Sequence, residues 1–364
     1  MKRIVLIDLA YPYQHAEDAD KQLAEMQSLV KTFNGVDVIH IIQHRNQPDK
    51  ATFIGSGKVI ELTDIVKNKK IDTVIINSLV NGSVLFNLTQ ALWKANPDIE
   101  VWDRIDLILN IFSKHARTAE AKLQIEIARM RHMGPRVYGL GLTYFSRQTG
   151  GIGMKGIGET NIELMKRHWR DQIKKKNDAL DKLLKHHNRQ MQRRKDQGIK
   201  TVSIIGYTNA GKTSLFNILT KKNSYVKDEL FATLDSTLGK LYIPDLHESI
   251  LISDTIGFIQ NLPTNLIDAF KSTLLESIQA DLLIHVIDVS DEQFHEKIAV
   301  VEQILRDLHI ENKPRILALN KIDIAKKETL IERQGMKQIR ISAKNNEGID
   351  TLKTAIFSHP ILLQ

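Results

Sequence analysis

The chain has 364 residues, no cysteine and a formal net charge of +8. At one domain per roughly 150 residues, this is enough for two or three domains with separate cores. The absence of cysteine excludes a disulfide framework, a thiolate zinc site and a cysteine nucleophile, and it suits a reducing compartment.

The N-terminal MKRIVLIDLAYPY opens like a secretory leader, but Asp8 ends its apolar run after four residues. No later stretch approaches the roughly 18 apolar residues of a membrane span. The expectation is a cytoplasmic monomer with no transmembrane segment. RIVLIDLA predicts a strand, and Ala19, Leu23, Met26, Val30 and Phe33 recur at helical spacing. VDVIHII predicts a second strand. A helix near 58–68, the strand IDTVIIN and a helix through SVLFNLTQALWKA follow. Strands alternating with helices make residues 1–110 a small N-terminal α/β domain with a mainly parallel sheet. Within it, 55-GSGK-58 resembles a phosphate loop, but Thr52 stands where the first glycine is required and Val59 where a hydroxyl is. It predicts a turn into a helix. His15, His40 and His44 form no ligand or nucleophile pattern.

Residues 111–198 read as a helical linker hairpin. Ile162, Met165, Trp169, Ile173, Leu180, Leu184, His187 and Met191 draw a narrow apolar stripe along a charged helix expected over 162–197. Its partner arm is expected at 117–133, with Leu123, Ile127 and Met130. Between the arms, 139-GLGLTYFSRQTGGIGMKGIGET-160 has seven glycines in 22 residues, which predicts a Gly-rich loop that orders against a partner. From Lys166 to Lys195 there are twelve Lys or Arg against three Asp, so one segment carries the basic excess of the whole chain. That distribution points to a polyanion. Lys174, Lys175, Lys176, Arg189, Arg193 and Arg194 on the helix, with Arg147 and Lys155 in the loop, are the candidate RNA contacts.

Residues 199–364 carry the chemistry of a Ras-like P-loop GTPase (G) domain. TVSII predicts a strand, and 206-GYTNAGKT-213 fits GxxxxGK[ST] ahead of the helical SLFNILT. The backbone N–H groups of Gly206, Tyr207, Thr208, Asn209, Ala210 and Gly211 can wrap a phosphate at a helix N-terminus. Lys212 is expected on the β- and γ-phosphates and the Thr213 hydroxyl on Mg2+. Asn209 is placed where an asparagine can hold K+ beside the phosphates. In 254-DTIG-257, Asp254 can hold magnesium through water and the Gly257 N–H can meet a γ-phosphate. In 320-NKID-323 (Asn320, Lys321, Ile322, Asp323), the Asp323 carboxylate can accept both the N1–H and the N2 amine of guanine. Adenine lacks both donors, which supports discrimination on the order of several kcal/mol. Ser342, Ala343 and Lys344 supply N–H groups near the base O6. The ligand is therefore GTP. A threonine of 231-FATLDST-237 should close over the γ-phosphate and magnesium, and chemistry and spacing leave Thr233 and Thr237 equal. Phe258 stands where many nucleotide hydrolases have a water-orienting glutamine.

TFIGSGKVIEL, RTAEAKLQIEIARM, GGIGMKGIGETNIE, GYTNAGKT, FATLD, DTIGF and NKID together resemble the HflX family of translation-associated GTPases over nearly the whole chain. Ile157 replaces a common proline, and Met165-Lys166-Arg167 replaces Asp-Arg-Arg. The resemblance implies that Thr233 is the magnesium-binding switch residue. It extends the nucleotide site to Phe231, Ala232, Leu234, Asp235, Thr255 and Ile256. It also implies binding to the large ribosomal subunit and its RNA, ribosome-stimulated hydrolysis and, in some members, splitting of stalled or hibernating ribosomes. The alternative is an RNA-binding GTPase serving RNA modification or ribosome assembly.

Overall fold

The computed structural model describes residues 2–11, 16–148, 155–222, 231, 237–243, 248–255, 257–259, 274–326 and 336–363, and leaves undescribed the side chains of 16–22, 36–38, 135, 137–162, 243, 248 and 363. Its contacts define two compact units. One holds Met1–Lys114 and Ile125–Ala179; the other holds His115–Gln124 and Leu180–Gln364. Two long helices each contribute one end to either unit.

In the first unit, β1 (Lys2–Ala10), β2 (Gly35–His44), β3 (Thr73–Ile76) and β4 (Glu100–Asp103) form a parallel sheet in the order β2-β1-β3-β4. Around it run α1 (Ala16–Thr32), α2 (Ser56–Lys69), α3 (Gly82–Leu92) and α4 (Arg104–His115). Val5, Ile7 and Leu9 of β1 pack with Leu62 and Val66 of α2 and with Leu85, Leu88 and Leu92 of α3. Ile4 and Leu6 are buried too, so β1 is covered on both faces, as parallel strands usually are. The α/β expectation holds, and GSGK opens α2 as a turn. The strand β4 and the helix α4 carry signals too short or too uniformly apolar for periodicity to separate.

Asp103 at the end of β4, Asp106 and His132 form the group with metal-ligand spacing among the described residues. Arg136 donates to Asp103 at 2.5 Å and to Asp106 at 2.6 Å, so a guanidinium already supplies the cation. This network fixes the fifth helix against the sheet.

Helices α5 (Ala119–Gln148) and α6 (Lys155–Asp196) are the expected arms, but both are longer than expected. The expected Gly-rich loop over 139–158 is helical to Gln148 and again from Lys155. A helical glycine costs only about 1 kcal/mol, and an established helix propagates through it. In the first unit, Trp169 Nε1 donates to Met130 O at 2.9 Å and Lys176 pairs with Glu126 at 2.5 Å, which is antiparallel order.

The second unit has a six-stranded sheet in the order β10-β9-β8-β5-β7-β6. Its strands are β5 (Thr201–Gly206), β6 (Thr237–Ile243), β7 (Glu248–Asp254), β8 (Leu282–Asp288), β9 (Arg315–Asn320) and β10 (Lys337–Arg340). Only β6 is antiparallel to its neighbour. The described helices are α7 (Lys212–Thr220), α8 (Leu275–Gln279), α9 (Phe294–Asp307), α10 (Ile349–Phe357) and α11 (Pro360–Leu363). Val202, Ile204, Leu215, Phe216, Ile284, Ile316 and Leu352 belong to one core.

Within this unit, His187 of α6 bonds Glu276 of α8 at 3.1 Å and lies 3.6 Å from Glu120 of α5. Arg194 adds a second bond to Glu276 at 3.2 Å. Glu120 and Glu276 raise the His187 imidazole from 6.5 to about 9, against the opposing effect of burial. Because the folded value is the higher one, this stabilisation is complete below the unfolded value of 6.5 and disappears as pH rises through 9. His187→Ala should therefore lower stability by about 2 kcal/mol at mildly acid pH. The deficit should shrink in alkaline solution above that upper value. Urea unfolding of both proteins across this range measures it, and a pH-independent deficit would contradict the charge-based account.

Candidate functional site: a phosphate loop at the carboxyl edge of the sheet

The site lies where β5, β7 and β9 end, the edge at which open α/β sheets bind ligands. Strand β5 delivers Gly206 at φ +148°, and a Cβ there would stand 2.4 Å from Val286 O on β8. Gly211 caps α7 at φ +94°, where a Cβ would meet Asn320 Nδ2 at 2.2 Å. Both positions exclude any larger residue. Asn209 between them is exposed and also has positive φ, +61°, which asparagine tolerates. Tyr207 is buried, with Lys297 5.1 Å from its ring centroid.

The buried Asn320 ties this loop to the others. Its Nδ2 donates to Ala210 O at 2.8 Å and its Oδ1 accepts from Ala343 N at 2.9 Å. Asp323 is oriented by Ser342 Oγ, which donates to its Oδ1 at 2.7 Å and accepts from Asn345 N at 3.1 Å. Lys321 pairs with Asp288 at 2.7 Å, and Ile322 packs on the cluster of Ile287, Leu317 and Leu319. Lys344 is exposed. The segments 206–213, 320–323 and 342–344 are thus brought together around one rim.

On the other side, Thr213 Oγ1 donates to Asp254 Oδ2 at 2.8 Å, and Asp254 is fully buried. Thr255 is turned away, its hydroxyl bonded to Ile204 O at 2.7 Å. The main chain of Phe258 is joined to the phosphate loop: its N–H donates to Gly206 O at 3.2 Å, and its carbonyl accepts from Thr208 N at 2.8 Å. Its ring is 2% exposed. The residue in the glutamine's place is therefore a core residue. Phe231 is buried at φ +59°, and His115 Nδ1 donates to its carbonyl at 2.8 Å. Thr237 is held in β6 opposite Asp254. Ala232, Thr233, Leu234, Asp235 and Ile256 lie outside the described residues.

The candidate RNA contacts divide. Lys174, Lys175, Arg189 and Arg193 are exposed on α6. Lys176 pairs with Glu126 and Arg194 with Glu276. The side chains of Arg147 and Lys155 fall outside the described residues. His115, Glu276 and Asp288 were not singled out from sequence. Of these, only Asp288, an acid ending an apolar strand, left a signal that could have been read.

A profile described as "50S ribosome-binding GTPase" matches residues 201–321, "GTP-binding GTPase Middle Region" matches 115–194 and "GTP-binding GTPase N-terminal" matches 20–113. "GTPase HflX" of Caldanaerobacter subterraneus subsp. tengcongensis is 45% identical over 93% of this chain and 76% of its own length. "GTPase HflX" of Escherichia coli K12 is 38% identical over 93% of this chain and 79% of its own. The chain belongs to the HflX GTPase family. A GTP-binding protein of Sulfolobus solfataricus solved with GDP is 25% identical, with TM-score 0.50 over 100% of this chain and 99% of that one. A further complex described as SsGBP with GDP gives TM-score 0.52 at 25% identity, covering 98% and 97%. Like other members of the HflX family, this protein is a P-loop GTPase. Among the described residues, no helix is long and apolar enough to cross a membrane.

The Lys212 amine is buried and donates to Tyr207 O at 2.6 Å. Burial pushes it down to about 8, with Asp254 opposing. A triphosphate beside it restores the cation. Nucleotide binding at about pH 8.5 should then take up most of a proton, and at about pH 6.5 almost none. Calorimetry in buffers of different ionisation heat measures this. Equal uptake at both pH values would mean that Lys212 is not the responsive group.

Proposed function

We propose that this HflX-family GTPase acts on the large ribosomal subunit and that GTP drives it to separate stalled or hibernating ribosomes. The observation that supports the GTP part is the Asn320 bridge, which joins the phosphate loop to the 342–344 segment, itself bonded to Asp323 through Ser342. There Asp323 would accept from the guanine N1–H and N2 amine; the Ser342 N–H is taken by Glu347 O and the Ala343 N–H by Asn320 Oδ1, which leaves the Lys344 N–H for the base O6. The 206–213 loop and Lys212 take the phosphates, and the Gly257 N–H meets the γ-phosphate.

Thr213 and Asp254 present two hard oxygens 2.8 Å apart, a donor set that suits Mg2+. Thr213 would bind the ion directly, Asp254 through water, and Thr233 would join from the 231–235 segment. When bound, Mg2+ supplies neutralisation of phosphate charge. The remaining task, positioning the attacking water, has no group at Phe258. Slow intrinsic turnover follows, with the ribosome completing the geometry. Asn209 at positive φ suits a K+ beside the phosphates. Turnover should accordingly be faster in potassium than in sodium, and equal rates would remove that cation from the account.

Support for the ribosome comes from the matched family description and from the exposed basic residues of α6. Lys174, Lys175, Arg189 and Arg193 would lie on RNA phosphates, with Arg147 and Lys155 reaching RNA where α5 gives way to α6. Sedimentation with large subunits should show binding with a non-hydrolysable GTP analogue and release with GDP. Binding indifferent to nucleotide would count against the proposal. Replacing Arg189 and Arg193 together by Gln should weaken binding and flatten its log–log salt slope by roughly 1.5 units. GTP affinity should not change. A salt slope left at its original value would place the RNA contacts elsewhere.

A further inference from the structure

Thr208 occupies the third position of the phosphate loop, and its side chain is buried. Among the described residues, its Oγ1 has no hydrogen-bond partner. A buried hydroxyl without a partner is costly to keep, and such orphans concentrate where a ligand completes them. The surroundings of Thr208 indicate which ligand group that is. Its N–H is fixed by the Phe258 carbonyl at 2.8 Å. Its Cγ2 and Cα are the nearest atoms to a Cβ built on Gly257, at 2.7 and 2.9 Å, followed by Lys212 Nζ at 3.0 Å. Thr208 therefore packs against Gly257 beside Lys212 Nζ, the two groups assigned to the terminal phosphate, and its main chain is bonded to the residue that replaces the glutamine.

We propose that Thr208 is a catalytic residue of this GTPase whose hydroxyl donates a hydrogen bond to a γ-phosphoryl oxygen. The assignment rests on the GTP reading of the site. In the reaction, water oxygen attacks the γ-phosphorus while the bond from that phosphorus to the β–γ bridging oxygen breaks. The electron pair leaves with GDP, inorganic phosphate keeps the water oxygen, and the surplus proton passes to solvent. The transition state spreads charge over the γ-phosphoryl oxygens. A donor fixed in a water-poor pocket stabilises that charge without reorganising. The Thr208 hydroxyl supplies one such donor in a site where position 258 supplies none. GDP has no γ-phosphoryl group, so the bond is made only with the triphosphate.

The test compares wild type with Thr208→Val, which keeps the branched shape and removes the hydroxyl, and with Thr208→Ser, which keeps the hydroxyl. Single-turnover GTP hydrolysis, GDP affinity and thermal unfolding are read for each, with and without large ribosomal subunits. T208V should hydrolyse GTP about ten- to a hundredfold more slowly under both conditions, near the effect of removing one oxyanion donor. It should bind GDP within twofold of wild type. Its melting temperature should be equal or higher, because a methyl replaces a buried hydroxyl that makes no bond in the protein. T208S should recover most of the rate. A T208V protein as fast as wild type overturns the assignment alone. A T208V protein that is slow only because it is less stable and binds GDP poorly overturns it in favour of a packing role. Wild type that binds no GTP overturns the proposed function and this assignment together.

Discussion

The side-chain amide of Asn320 makes one site out of three stretches of chain. Its donor and its acceptor are both used, one on the phosphate loop and one on the loop after β10, and it is almost completely buried. A leucine of similar size would leave Ala210 O and Ala343 N unpaired, and an aspartate would set an acceptor against the Ala210 carbonyl. Much else follows from this requirement. Gly211 has to be glycine because the amide occupies the space a Cβ would take. The purine side of the pocket then stands at a fixed distance from the phosphate side, so a nucleotide of the right length meets both.

The G domain was legible because its chemistry is compressed into contiguous motifs at strand ends, and each motif states its own geometry. Strands β5, β7 and β9 end at the residues the motifs require. The hairpin was legible as periodicity, but its turn was misjudged. Glycine content signals freedom, and a helix already nucleated by the packing of Ile125, Ile127 and Ala128 runs on through glycines at small cost. Helix α4 was hidden for the opposite reason, a run too apolar to show a period, and strand β4 because four residues are too few to show one. The charge network of Asp103, Asp106, His132 and Arg136 joins positions up to 33 residues apart, and no local pattern announces such a pairing. The same applies to His187, which was counted in the apolar stripe and is in fact an ion-paired histidine.

In the second unit His115, the last residue of α4, holds the Phe231 carbonyl at the start of the FATLD segment. His187 and Arg194 of α6 hold Glu276 of α8, whose neighbour Ser277 bonds Ser203 of the central strand β5 at 2.8 Å. These bonds tie α6, through Glu276 and Ser277, to the strand that leads into the phosphate loop.

The burial of Phe258 has an evolutionary corollary. In an open loop, a glutamine could be acquired by drift and would shorten the life of the GTP state. Here position 258 is part of the core beneath the phosphate loop, with its backbone joined to Gly206 and Thr208. A glutamine there would have to bury its amide or pull the loop apart, so selection for folding opposes the change that would make the enzyme fast on its own. On the proposed function, a long dwell in the loaded state would rest on the same packing that holds the domain together.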